Sequence, residues 1–392
     1  MTRDVPTKDH RARPRPSRRP RRWPLALLVV GALSGLVATS GVAQATTQHH
    51  ARGFRQVNLV SDRPGMAPLT DPDLVNAWGL AASPGTDAAP GSPLWVSDNG
   101  TDATTLYAGS APAAVSKVLA VDVTSGAPTG QVFNTDTTGF VVQDTAGRAG
   151  PARFVFASEN GGIDGWNPAV GTNGSNPSTT TEVAVKNGAN AVYKGLAMAT
   201  ASDGHTYLYA ANFRSGRVEA YDDTWTPVVL PGGLFVDRRL PTGYAPFNVA
   251  ELRGRLYVTY AKQDATLHDD LAGPGHGFVD VFTNDGAFVR RLVTRGVLNS
   301  PWGLAVAPMG FGRLRGSLLV GNFGDGRIDA FNATTGHFEG RLRDPHGRAI
   351  AIDGLWGLQV GNGNAAKTDQ LVFSAGPGGE SHGLLGKIVP VS

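Results

Sequence analysis

The chain has 392 residues, 52 of them glycine and 26 proline, with 41% hydrophobic and 17% charged side chains. It has no cysteine, which excludes a disulfide framework, thiolate metal sites, a thiol nucleophile and a lipid-bearing cysteine. The formal charge of +3 hints at nucleic acid, but nine Lys or Arg and two Asp lie within residues 1–45; subtracting them from 35 and 32 leaves 26 basic and 30 acidic residues, an acidic body without the footprint of a nucleic-acid binder.

The basic head (Arg3 to Arg22) runs into the apolar stretch Leu25 to Val37 and then the small-x-small site Ala43-Gln-Ala45. Together these predict an export signal over 1–45, cleaved after Ala45. Arg18-Arg19 behind Ser17 resembles a twin-arginine signal, although Arg21 stands where that motif prefers an apolar residue, so the twin-arginine and general routes both stay open. The alternative is an uncleaved anchor, since the run extended to Val42 approaches a bilayer crossing. With the signal removed, no membrane span is expected. Residues 46–53 read as a flexible spacer, and 54–392 as one domain.

The composition suits many short strands joined by tight turns, and no stretch after Ala45 keeps a helical apolar period free of Gly and Pro. Phe54 to Val60 alternates like a half-buried strand and stands before any repeat. The first repeat opens on Asn76-Ala-Trp-Gly-Leu-Ala81, followed by Pro93 to Gly100 and Thr104 to Tyr107. Equivalent inner segments are predicted at Thr138 to Val142, Lys194 to Ala197, Pro246 to Ala250, Ser300 to Val306 and Leu355 to Val360. The glycine-equivalent positions 79, 139, 195, 248, 303 and 357 recur every 55 to 60 residues or so, roughly one four-stranded unit each, and the WD40 signature is absent.

Six units predict an all-β, six-bladed propeller of four-stranded antiparallel blades. The last unit lacks an outer strand, so Phe54 to Val60 is expected to join the C-terminal blade and close the ring. The recurrent Gly allows close backbone approach near the axis. Trp78, Trp302 and Trp356 precede it and read as packing between blades, or alternatively as an aromatic platform at the channel mouth.

Gly-Asn-Phe-x-x-Gly-Arg-Ile-Asp-Ala-Phe (321 to 331) and Ala-Asn-Phe-x-x-Gly-Arg-Val-Glu-Ala-Tyr (211 to 221) resemble NHL-type propeller repeats. Asn58 to Asp62, Asp71 to Leu80, Leu94 to Thr101 and Phe156 to Pro168 resemble a bacterial family of exported, functionally uncharacterised propellers. The resemblance spans essentially the whole mature chain and implies fold and export, not an activity. Some members of that family carry a hydrophobic C-terminal sorting tail. Ile388 to Ser392 is no such tail, so release or residence in the envelope is expected rather than anchoring.

Loops entering the first strand of each blade and loops leaving the second emerge on one face. The ligand-binding candidates at the channel mouth are therefore Asn76, Asp98, Asn99, Glu159, Asn160, Asn212, Asn299, Asn322, Asp325 and Asp353, with Gln263 and Asp264 beside them. Hard oxygen ligands from several blades would suit a divalent cation, Ca²⁺ or Zn²⁺, while Asp and Asn at strand ends equally serve turns.

The long insertion Ala261 to Gly277 is a candidate lid, carrying Asp264, His268, Asp269, Asp270 and His276. No paired-histidine metal motif, nucleophile elbow, phosphate loop or dinucleotide fingerprint occurs. The expectation is a monomeric, exported propeller that binds a ligand or a cell-surface partner on its loop face. The alternative is a metal-dependent lactonase or lyase with its site at the channel mouth, although the separate ligands of propeller lactonases have no residue-by-residue match here.

Overall fold

The computed structural model describes residues 52–391 except residue 172. The expected export signal and residues 46–51 of the expected spacer lie outside the described residues. Among the described residues every helix is a short 3-10 turn, and the rest is strand and loop. No described helix is long and apolar enough to cross a membrane.

Six antiparallel sheets form the ring. Blade 1 comprises Ala77–Ala81, Leu94–Asp98, Ala103–Ala108 and Ser116–Asp122. Blade 2 comprises Pro128–Phe133, Phe154–Ser158, Gly162–Trp166 and Glu182–Lys186. Blade 3 has three strands, Tyr193–Thr200, Thr206–Asn212 and Arg217–Tyr221, with a single bridge between Tyr221 and Pro227 where a fourth would stand. Blade 4 is Tyr244–Glu251, Leu256–Lys262, Phe278–Phe282 and Phe288–Thr294; blade 5 is Pro301–Val306, Leu318–Asn322, Ile328–Phe331 and Phe338–Arg341.

Blade 6 takes Leu355–Val360, Leu371–Ala375 and Leu384–Val391 from the C-terminal end, and its fourth strand is Gly53–Ser61, along whose edge the two-residue strand Leu69–Thr70 pairs parallel. That strand pairs antiparallel with the last one from Gly53 opposite Val391 to Ser61 opposite Leu384, with a bulge between Asn58 and Val60. The orphan strand thus closes the ring, as its alternation predicts.

One predicted strand is displaced. The inner strand of blade 2 is Pro128–Phe133, not Thr138 to Val142; Val141–Gln143 instead forms a separate hairpin with Ala149–Pro151. The axial glycine of this blade is Gly130, where a Cβ would come within 2.6 Å of the Gly195 Cα. A Cβ on Gly139 would meet only Asp136 and Asp223 side chains. Thr138-Gly-Phe-Val-Val142 mimics the repeat in letters, whereas Thr129-Gly-Gln131 breaks it with an amide.

Six apolar clusters fill the six spaces between neighbouring blades, and a seventh fills the axis. The three tryptophans belong to the seventh. Trp78 stacks on Trp356 at 3.6 Å, Phe323 stacks on Trp356 at 3.9 Å, and Trp302 meets both indoles edge-on. They therefore pack on one another across the axis, not between blades. The plug they make with Phe213 and Phe247 divides the axis into two ends. Burying each indole contributes about 2 kcal/mol or more by apolar area.

Candidate functional site

The position before each axial glycine, or before Asn248 in blade 4, is occupied around the ring by Trp78, Thr129, Lys194, Phe247, Trp302 and Trp356. Four of these are aromatic and join the axial plug, and Thr129 is uncharged and donates to Tyr193 O. Lys194 is charged, and it is buried to 2% exposure. Its Nζ donates to Glu159 Oε1 and, at 3.3 Å, to Asp269 Oδ1 of the insertion, and it lies 5.1 Å above the Trp78 ring. Burial pulls the Lys194 pKa down, but the two carboxylates more than offset this and hold it above its ordinary value. Lys194 is therefore a fixed cation, not an amine base or nucleophile.

Four carboxyl groups surround that ammonium. Glu159 accepts also from Asn99 Nδ2 at 2.8 Å, Asn99 Oδ1 accepts from Asn76 Nδ2 at 3.1 Å, and the same Asn76 nitrogen donates to Glu380 Oε2 at 2.8 Å. Asn76 Oδ1 accepts from the Trp356 indole at 3.0 Å, which couples this polar layer to the plug beneath it. Burial pushes the Glu380 pKa up, and the charges of Glu159 and Asp269 add to that rise against the Asn76 hydrogen bond and Lys194. Burial likewise raises Asp270, against a hydrogen bond from Ser300 and the charge of Lys194. Asp269 is held low: its partial burial is outweighed by Lys194 and by His268, whose Nδ1 lies 2.8 Å from it.

The insertion Ala261 to Gly277 supplies the roof. Asp264 folds it by accepting from the backbone N–H groups of Thr266, His268 and Asp269 and from the Thr266 hydroxyl. Its ends are anchored by Gln263 Nε2 to Phe213 O at 2.6 Å and by Gly273 N–H to Asn299 Oδ1 at 2.6 Å. His276 donates from Nδ1 to Leu271 O within the same loop. Asp264, Asn299 and His276 thus shape the lid, while His268, Asp269 and Asp270 face the mouth.

Of the residues expected at the mouth, the structure brings Asn76, Asn99 and Glu159 together with Asp269 and His268. It does not bring the others. Asp98 is fully buried in blade 1 among Thr105, Asp71 and Lys117, away from the mouth; burial drives its pKa well up, against a hydrogen bond from Thr105. Asn212 donates to Glu219 and accepts from Val192 and Ser215 N–H, and Asn322 donates to Asp329 and accepts from Asn299 N–H. Asp325 fastens its own turn through Arg327, while Asn160 donates to Ser125 O and Asp353 accepts from Gly378 N–H, tying neighbouring loops together.

Two mouth residues escape the motif reading, Lys194 and Glu380. A lysine where the other blades place Trp, Thr or Phe before the axial residue is the available signal for the first. Glu380 lies in an irregular turn with no repeat equivalent. A Ca²⁺ or Zn²⁺ ion would find ligand atoms of Glu159, His268 and Asp269 within 4.8 Å of one another, but the Lys194 ammonium already fills the cationic position between two of them.

Fold and mouth together define a six-bladed β-propeller with a lidded, acidic axial site. The chain belongs to one family with two proteins of Acanthamoeba polyphaga mimivirus. It is 33% identical to "Uncharacterized protein R648" over 341 residues, which cover 84% of this chain and 78% of that protein. It is 32% identical to "Uncharacterized protein L690" over 343 residues, which cover 84% of both. No family model matches the chain. A structural genomics protein of unknown function from Bacteroides thetaiotaomicron VPI-5482 shares the fold, with TM-score 0.50 and 10% identity over 86% of this chain and 76% of that one. The two relatives are viral, so the bacterial placement drawn from the motifs gains no support from them.

Proposed function

We propose that the protein is an exported propeller that binds a small cationic ligand at its loop-face mouth. One observation carries the reading: Glu159, Asp269, Asp270 and Glu380 converge from two blades and the lid on a single ammonium, leaving the cup with an excess of negative charge. An organic ammonium group would meet Glu380 and the exposed Asp269, with the Asn99 amide beside them. Export rests on the signal-like head, and N-terminal sequencing of the mature protein is expected to begin at Thr46; retention of Met1 would remove that part.

The Glu159, His268 and Asp269 grouping favours a second reading, in which a divalent cation displaces Lys194 and supports lactonase-like or lyase-like chemistry. Melting temperatures in 1,4-diaminobutane, CaCl2 and ZnCl2 separate the two. A concentration-dependent rise with the diamine, reduced by salt and shifted to higher concentration in Glu380→Gln, supports the first. A rise with Ca²⁺ or Zn²⁺ that is enhanced in Lys194→Met supports the second, and no rise with any of them removes both.

A further inference from the structure

The plug leaves a second end to the axis. Between the inner strands, on the face opposite the mouth, lies a cavity of about 410 Å³ that ends blind on Trp302, within the size range of small-molecule sites. Its wall repeats around the ring; Asn248 replaces the axial glycine in blade 4 with its amide satisfied by Trp302 O and Val249 N–H, and beyond that position the repeat is broken at two places. The residue after the axial Gly or Asn is Leu80, Leu196, Val249, Leu304 or Leu358 in five blades, and Gln131 in blade 2. The next position is alanine or valine in five blades and Gln359 in blade 6.

Both amides leave a side-chain carbonyl without a donor. Gln131, 6% exposed, spends its Nε2 on Gly79 O at 2.7 Å and Trp95 O at 2.9 Å, which fixes the orientation of the amide. A buried acceptor left unpaired is costly and is a position where an incoming N–H or O–H gains a full hydrogen bond. Charge is nearly absent from this wall. Glu251 alone among the lining residues is ionisable, and it sits exposed at the rim, accepting from Gly254 N–H at 2.6 Å. A charged ligand would lose its hydration here with no counter-charge to replace it.

We propose that this channel is a second binding site, for an uncharged small molecule with an apolar body and an N–H or O–H donor directed at Gln131 and Gln359. The aliphatic ring holds the body, Trp302 forms the floor, and the two amides set the depth at which a donor is matched. The proposal is independent of the mouth, since the plug of Trp78, Trp302 and Trp356 lies between them.

The test uses the full chain and N-phenyl-1-naphthylamine, which is uncharged, apolar and carries one N–H. Its fluorescence should rise saturably with one equivalent bound per chain. Gln359→Leu, which breaks no hydrogen bond within the protein, should weaken the affinity by about fivefold, the value of one neutral hydrogen bond. Ala82→Trp, at the open end of the channel, should abolish binding at unchanged melting temperature; if that variant does not fold, Gln359→Leu decides alone. Saturating 1,4-diaminobutane should not displace the probe, and 1-anilinonaphthalene-8-sulfonate, which adds a charge to the same ring system, should bind more weakly. Absence of saturable binding, unchanged affinity in Gln359→Leu, displacement by the diamine, or equal affinity for the sulfonate would each overturn the proposal.

Discussion

Lys194 carries a full charge at a place where the fold otherwise puts three indoles, a phenyl ring and a threonine, and it is tolerated there because Glu159 and Asp269 meet it. Removing one member of such a buried pair strands the other. Lys194→Met should therefore destabilise the protein by about 3 kcal/mol, and adding Glu159→Gln should recover much of that loss. Denaturant unfolding of the two single variants and the double variant measures the coupling; additive losses would mean that the pair is not a unit.

Asp280 gives a second prediction at the same scale. It is fully buried, and Arg291 commits to Asp237, lying 3.7 Å from Asp280 through Nε. Burial, with Asp237 adding to it, raises the Asp280 pKa to about 8. A raised carboxyl pKa means that the folded chain holds a proton the unfolded chain releases, so stability falls as pH climbs from the unfolded value toward about 8. Asp280→Asn should flatten that fall, with a gain of at least about 1 kcal/mol near the upper limit. Melting curves across this window check it, and an unchanged slope would contradict it. Residues of this kind hide in the sequence because Asp164, Asp280 and Asp329 look like exposed positions of an alternating strand, yet the third strands of blades 2, 4 and 5 bury both faces.

The lid and the closing strand are the elements on which the mouth depends. The lid is held at its ends by Gln263 and Asn299 and at its centre by the contact of Asp269 with Lys194. Asp269→Asn should speed hydrogen exchange across residues 264–275 while lowering overall stability by less than about 1 kcal/mol, because the lid adds little to the inter-blade core. Loss of protection throughout blade 4 instead would show that the lid is integral to the blade.

The insertion was legible as an interruption between the second and third strands of blade 4, and so were its acidic residues. Which of them face the axis was not. Asp264 and Asp269 differ only in that one folds the loop on itself and the other reaches a lysine from blade 3. The inner strand of blade 2 was missed for a related reason: Gln131 replaces the leucine by which the other blades are recognised, and that amide bonds Gly79 O and Trp95 O of blade 1.

At the scale of the whole molecule, six similar units become one body because the last is finished by the first strand. Gly53–Ser61 covers the edge of Leu384–Val391 and contributes Leu59 and Val60 to the apolar cluster between blades 6 and 1. A chain beginning at Asp62 should expose that edge, lose cooperative unfolding and aggregate; a truncated chain that melts as the full one does would remove ring closure as a source of stability. The blade count was legible because glycine spacing survives even where one unit is assigned to the wrong segment. The charge at the centre was not, since it arises only when the loops of separate blades meet.

Cation binding at the mouth is measured by titration calorimetry of 1,4-diaminobutane into the full chain and into Glu380→Gln at low ionic strength. One saturable site is expected, weakened about tenfold or more by the substitution, roughly the worth of one charge-assisted hydrogen bond. Binding is also expected to fail on acidification at a higher pH than ordinary carboxylates would impose, because Glu380 and Asp270 take up protons early. No binding heat, or an affinity indifferent to both Glu380→Gln and pH, would contradict a cation-binding mouth.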